Sequence, residues 1–283
     1  MYISLFIAST IMFAFLLFYY HKATKKILQY MSIIYLFLFG MTSVGLGSYF
    51  IYSIDFTWVY AADTHSYTST RQSTTSRIVT TKVPRAMQLT APIVKQFPEL
   101  PRGCEVTSLS MLLQYHGVDT NKMTLANEIK KNSTPYELID GKVHFGDPNK
   151  GFVGNMYTFD EPGLGVYHKP IFELASDYVG DAAKDLTGES FDTIIHYVAN
   201  KQPVLLITNI TYEPLKESQF RTWYTESGPM NITMKLHAVL VTGYDQASIY
   251  FNDPYDGKQK KAPKDAFIKA WEQMGKQAVS IQL

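Results

Sequence analysis

Cysteine is almost absent from this chain: 283 residues hold one, Cys104. A single thiol excludes an internal disulfide framework and any zinc site built on cysteines. An excess of charge of either sign is absent too, with 26 Lys and Arg against 25 Asp and Glu and a formal charge of +1. Without a basic field there is no electrostatic footprint for nucleic acid, so none is expected as a partner. The 7 histidines show no His-x-His or His-x-x-x-His spacing. No metal and no other cofactor are therefore expected. A Gly-x-Ser-x-Gly elbow, a Gly-x-x-x-x-Gly-Lys-Ser/Thr phosphate loop and an internal repeat are all lacking as well.

Charge is also missing from two long stretches near the start. Residues 2–20 (YISLFIASTIMFAFLLFYY) carry none, and at ~1.5 Å per residue such a helix spans roughly 28 Å, close to a bilayer's hydrocarbon core. Residues 31–54 are again uncharged, and Lys22, Lys25 and Lys26 lie between the two runs. Tyr19, Tyr20, Tyr49, Tyr52, Trp58 and Tyr60 gather near the ends, as interfacial aromatics do. Two transmembrane helices, at about 2–20 and 31–54 within a segment 1–60, are expected. The lipid bilayer is then a partner and the basic loop is cytoplasmic. Everything after residue 60 falls outside the cell, which makes this a multi-pass protein of the cell membrane with an extracytoplasmic domain. Val59-Tyr60-Ala61 resembles a signal-peptidase site, and cleavage after Ala61 would release that domain. Residues 61–90 are rich in Ser and Thr and read as a flexible tether. Residues 91–283 are long enough for one domain.

Within that domain the apolar spacing of Val106, Leu109, Leu112 and Leu113 predicts a helix over 104–116. Further helices are expected at 125–131, 170–178, 191–199 and 264–274, with a long loop over 132–169. Strands are expected at 203–209, 236–244, 248–252 and 278–282. Helices first and an antiparallel sheet later is an α+β order.

Cys104 stands in Leu-Pro-Arg-Gly-Cys-Glu-Val-Thr, where the first helix begins. The partial positive charge of a helix N-terminus favours the thiolate, the nucleophilic form. A thiol nucleophile needs a base and a group to orient it. His237 lies on a predicted strand, on one face with Val239 and Val241. Asp253 ends the next strand, in Tyr-Phe-Asn-Asp-Pro. If the two strands pair, its carboxylate is expected to accept the imidazole Nδ1–H. Asn252 could serve instead, and strand alternation lets only one of the two face His237. Gln96, eight residues before the cysteine, could join the Cys104 N–H in binding an oxyanion.

Gln96, the Leu-Pro-Arg-Gly-Cys-Glu-Val-Thr-Ser-Leu segment, Leu-His-Ala-Val-Leu-Val-Thr-Gly-Tyr and Tyr-Phe-Asn-Asp-Pro resemble papain-like cysteine peptidases. Within that superfamily they are similar to the "-like" branch of the family typified by double-glycine bacteriocin-leader peptidases. Gly146-Asp-Pro-Asn-Lys-Gly-Phe-Val-Gly154 and Lys201-Gln-Pro-Val204 share the likeness, which covers about residues 91–283. The resemblance implies a papain-like fold, with N-terminal helices packed on an antiparallel sheet. It implies that Cys104 is the nucleophile, His237 the base, Asp253 the orienting group and Gln96 part of the oxyanion hole. The expected activity is hydrolysis of peptide or amide bonds in a peptide or protein substrate outside the membrane. The alternatives are a non-catalytic module of the same fold that binds peptide or cell-wall fragments, and an amidase of cell-wall peptides.

Overall fold

The structure, a computed structural model, describes residues 83–282 and, within the second uncharged run, the helical residues Ile33, Tyr35 and Phe37. The remainder of the two expected transmembrane helices, their basic loop and residues 61–82 of the expected tether lie outside the described residues. Among the described residues no helix is long and apolar enough to cross a membrane. The chain divides into two units, Met1–Ile78 and Val79–Leu283, and the second carries the architecture that follows.

A short strand, β1 (Met87–Gln88), precedes helix α1 (Cys104–Tyr115). Every residue of α1 from Cys104 to Leu113 is buried, so it is a core helix and not an amphipathic one. Its hydroxyls are partly accommodated by backbone carbonyls. Ser108 Oγ donates to Ala238 O at 3.2 Å and Ser110 Oγ to Thr107 O at 2.8 Å. Gly103 starts the helix for a reason of proximity: a Cβ there would lie 2.5 Å from the Leu100 Cβ. Helix α2 (Lys122–Glu128) begins three residues before the expected 125, because Asn121 caps it by accepting the N–H groups of Met123 and Thr124. Such a cap contributes about 1 kcal/mol.

The stretch expected as a loop, 132–169, contains pieces of sheet. These are β2 (Lys131–Asn132), β3 (Glu137–Ile139), β4 (Lys142–His144) and β5 (Phe152–Val153). The chain continues through α3 (His168–Val179), β6 (Ala183–Asp185), α4 (Phe191–Ala199), β7 (Val204–Asn209), β8 (Arg221–Thr225) and β9 (Gly228–Ile232). It ends with β10 (Leu236–Tyr244), β11 (Ser248–Asp253), β12 (Lys258–Pro263), α5 (Lys264–Gln273) and β13 (Ala278–Ile281). The main sheet runs β12-β11-β10-β7-β13-β6, with β1 also paired to β10. All of its pairings are antiparallel.

Strand alternation divides the core between the two faces. Leu205, Ile207, Ala238 and Leu240 face α1, α2 and α3. Val204, Leu206, Val239, Val241 and Phe251 face α4 and α5. A second sheet, β3-β4-β8-β9, packs its own cluster around Phe145, Trp223 and Ile232. The mixed α/β architecture with an antiparallel sheet matches the expected class.

The domain begins earlier than residue 91. Met87 and Gln88 pair with Tyr244 and Gly243. Leu89 N donates to Thr242 O at 2.7 Å, and Tyr244 Oη donates to Pro84 O at 3.0 Å. A chain starting at residue 91 therefore strips one edge of β10. It should melt about 5 °C or more below a chain starting at residue 79. Equal thermal denaturation midpoints would show that β1 adds nothing.

Candidate active site

Cys104 is the first residue of α1 and is 7% exposed. At that position its N–H lies outside the helical ladder. The helix terminus favours a thiolate, but two stronger influences oppose it. Burial pushes the thiol well up, and the charge of Glu105 pushes it further. The Ala238 N–H, facing the sulfur, pulls the other way. Glu105 Oε2 lies 3.3 Å from Sγ. The activated, easily ionised thiol expected from the helix start is thus offset by its surroundings.

His237 occupies the second position of β10 and is buried. The register places Leu240 opposite Asn252 and Val241 opposite Phe251. Asp253 consequently shares the face of Phe251, the same face as Val239 and His237. The imidazole meets it there: His237 Nε2 lies 2.8 Å from Asp253 Oδ1. This corrects the expected ring orientation, because Nε2 and not Nδ1 takes the carboxylate and Nδ1 is left for another partner. Alternation sends Asn252 to the opposite face, where its Nδ2 donates to Pro92 O at 2.9 Å and Ala91 O at 3.2 Å.

The Asp253 carboxylate is saturated. Oδ2 accepts Tyr212 Oη at 2.5 Å and Lys260 Nζ at 2.6 Å, and Oδ1 also accepts the Tyr255 N–H at 2.9 Å. Burial alone would raise its pKa. The hydrogen bond and charge of His237, then the bonds of Lys260 and Tyr212, outweigh burial and hold it well below the usual carboxylate range. Tyr212 is pushed up in turn, by burial first and then by Asp253.

Gln96 is buried beside the loop that leads into α1. Its Nε2 donates to Pro101 O at 2.8 Å and Leu100 O at 3.2 Å. Both amide hydrogens are engaged because the loop folds back on itself, with Leu100 N donating to Gln96 O at 3.0 Å. The carboxamide thus braces the loop, and it reaches an oxyanion only by releasing one of these carbonyls.

Three residues of this cluster escaped the sequence reading: Glu105, Tyr212 and Lys260. Glu105 had a signal, an acid in the first turn of a helix otherwise made of apolar and small side chains. Tyr212 and Lys260 arrive through a turn after β7 and an edge strand, and no local pattern marks them.

Aromatic rings border the site. Tyr255 stands edge-on to His237 with ring centres 6.3 Å apart, and Phe97 stands edge-on to Tyr255 at 5.1 Å. Phe159 follows at 6.3 Å, with the Arg102 guanidinium 5.0 Å above its ring. Arg102 also donates to the carbonyls of Asn155 and Thr158, which fastens that loop to the residues before Cys104. A groove of about 340 Å³ runs past Arg102, Phe159, Gly163, Trp223 and Met234. A neighbouring groove of about 470 Å³ shares Tyr136, Phe145, Glu161 and Pro162 with it. Among the described residues no cluster of His, Cys, Asp or Glu has the makings of a metal site.

Comparison with known proteins matches the same region. YvpB, an uncharacterised protein of Bacillus subtilis (strain 168), is 47% identical over 185 residues, 65% of this chain and 71% of that protein. A crystal structure of a candidate C39-like peptidase from Bacillus anthracis is 48% identical with a TM-score of 0.66, covering 71% of this chain and 98% of that one. The family model described as Peptidase_C39 like matches residues 80–279. The chain therefore belongs to the Peptidase_C39 like family, a branch of the papain-like cysteine peptidases.

Proposed function

We propose that this protein is a membrane-anchored, extracytoplasmic cysteine peptidase that hydrolyses peptide or amide bonds with Cys104, His237 and Asp253. The observation that carries the reading is the buried 2.8 Å contact of His237 Nε2 with Asp253 Oδ1, beside a thiol that faces the next residue of the same strand. With Nε2 held, Nδ1 is the nitrogen free to take the thiol proton. Sγ then attacks the substrate carbonyl carbon, and the Cys104 N–H faces the developing oxyanion. Gln96 adds a second donor when it releases Leu100 O, the longer of its two bonds. The protonated His237 passes its proton to the leaving amine as the C–N bond breaks. It next takes a proton from water, which attacks the thioester and frees the acid product. The sulfur leaves with that proton, restoring the thiol.

A broad library of fluorogenic peptides tests the reading: turnover that disappears on alkylation of the thiol supports it, and turnover insensitive to alkylation overturns it. One observation favours a second reading, a non-catalytic module that holds peptide or wall fragments. Cys104 is nearly covered and its thiol is pushed up, and buried cysteines are commonly inert. Binding of peptide without turnover, unchanged in Cys104→Ala, would select that reading.

The anchor is proposed from the two uncharged runs and the lysine loop between them. Protease added to intact protoplasts is expected to degrade the domain beyond residue 60. Full protection from the protease would reverse the orientation.

A further inference from the structure

Next to the nucleophile lies a carboxyl group that the mechanism above does not use. Glu105 is 1% exposed on the first turn of α1. Both of its oxygens are placed. Oε1 accepts the Val166 N–H at 3.1 Å, and Oε2 lies 3.3 Å from Cys104 Sγ. The segment that supplies Val166 comes this close because Gly165 has no side chain: a Cβ there would lie 2.2 Å from Oε1. Among the described residues no lysine, arginine or histidine forms an ion pair with Glu105. A carboxylate buried without a cation destabilises a fold. Its place against the sulfur points to work done there.

We propose that Glu105 is a positioning residue that decides where the Cys104 proton sits: its ionised carboxylate holds the proton on Sγ, and its neutral form releases the thiol to His237. The proposal rests on the reading of Cys104 as nucleophile. The surrounding groups fit it. On the segment packed against α1, Tyr167 senses the charges of Asp147 and Glu105. From the sheet side come His237 and Asp253, and the charge of Asp253 also acts on the thiol. Lys260, the lysine of that cluster, is paired with Asp253 and Asp256. Burial pushes Glu105 up to about 7, against the opposing bonds of its own backbone, Val166 and Cys104. Glu105 therefore changes its charge around neutrality, beside a thiol that burial and this carboxylate push well up. Above that range the charged carboxylate keeps sulfur protonated. Below it the carboxyl is neutral, and its opposition to moving the sulfur proton toward His237 is gone. The site is then armed on the mildly acidic side of neutral.

The test uses the full chain and iodoacetamide, whose adduct has one destination because Cys104 is the sole cysteine. Glu105→Gln keeps an acceptor for the Val166 N–H and removes the charge. Cooperative melting checks its fold. Its alkylation at pH 8 should be about tenfold faster than wild type, the equivalent of one pH unit in the thiol. At pH 5.5, where wild-type Glu105 is neutral, the two rates should agree within roughly twofold. Identical pH profiles, or a slower variant at pH 8, would overturn the proposal. A second measurement holds whether or not the variant folds and whether or not any peptide is cleaved. In wild type labelled with carboxyl-¹³C glutamate, the Glu105 carbon should titrate near neutrality, and its midpoint should rise in Cys104→Ala, which lacks the thiol donor. An unmoved midpoint would dismiss Glu105 while leaving the peptidase reading intact. A risen midpoint in a protein without turnover would keep the proton linkage and remove the peptidase.

Discussion

Replacing Cys104 by alanine is expected to reduce peptide hydrolysis by about 10⁴-fold or more while leaving substrate binding nearly unchanged. Deleting a nucleophile removes the covalent route entirely, and what remains comes from binding and oxyanion stabilisation. Binding survives because the thiol forms its bond only on the way to the transition state. The fold should survive as well. Cys104 is one small side chain at the edge of a cluster anchored by Leu109, Leu112, Leu113 and Phe152, and alanine leaves only a small void. Removing the thiol also frees Glu105 from its sulfur contact. Kinetics and calorimetry on the same preparations separate the outcomes: lost turnover with a retained melting transition is expected. Retained turnover would eliminate the thiol as nucleophile.

Asp253→Ala should damage both activity and stability, for separable reasons. The activity loss follows from the free rotation of His237 once its Nε2 partner is gone, and about 10²-fold to 10⁴-fold is the scale for losing an orienting carboxylate. The stability loss follows from the rest of the network. Tyr212 Oη, Lys260 Nζ and the Tyr255 N–H would all lose an acceptor that is fully buried. Removing one member of a buried ionic cluster costs about 3–5 kcal/mol. The same carboxylate makes the wild type sensitive to acid. Its folded pKa lies below its unfolded value, so its stabilisation is complete above about pH 4 and is lost as the pH falls below that. Asp253→Asn should therefore be less stable than wild type at pH 7, with the difference shrinking below pH 4. Urea titrations at several pH values measure this directly. A constant difference across that range would mean that folding does not shift the Asp253 pKa.

Elements with one strong period were legible in the sequence. Helix α4 and strand β10 match the expected bounds, and α1 differs by one residue. The alternation of β10 also identified the face on which His237 lies. Elements stabilised mainly by their neighbours were not legible. Strand β12 reads Lys-Gln-Lys-Lys-Ala-Pro and buries only Ala262. It is a charged edge strand, and such charge guards an edge without announcing it. The β8–β9 hairpin mixes Thr, Trp, Tyr, Pro and Asn with a weak alternation, and only Trp223 and Ile232 of it are buried in the core. In the site, Cys104, His237 and Asp253 could be named because each sits at an element boundary or on a strand with a readable face. The choice of Asp253 over Asn252 needed the β10–β11 register. The choice of Nε2 over Nδ1 needed the ring itself. Gln96 illustrates a third limit: its spacing from Cys104 was readable, whereas the carbonyls that claim its amide belong to a folded loop.

The most direct test of the central claim is the intact mass of the protein during turnover of a peptide ester, quenched in acid. Cys104 attacking a carbonyl must pass through a thioester. An adduct equal to the acyl group should appear on the peptide that contains Cys104, and it should vanish in Cys104→Ala. Hydrolysis of the ester with no adduct at any quench time, and with undiminished rate in Cys104→Ala, would contradict the account.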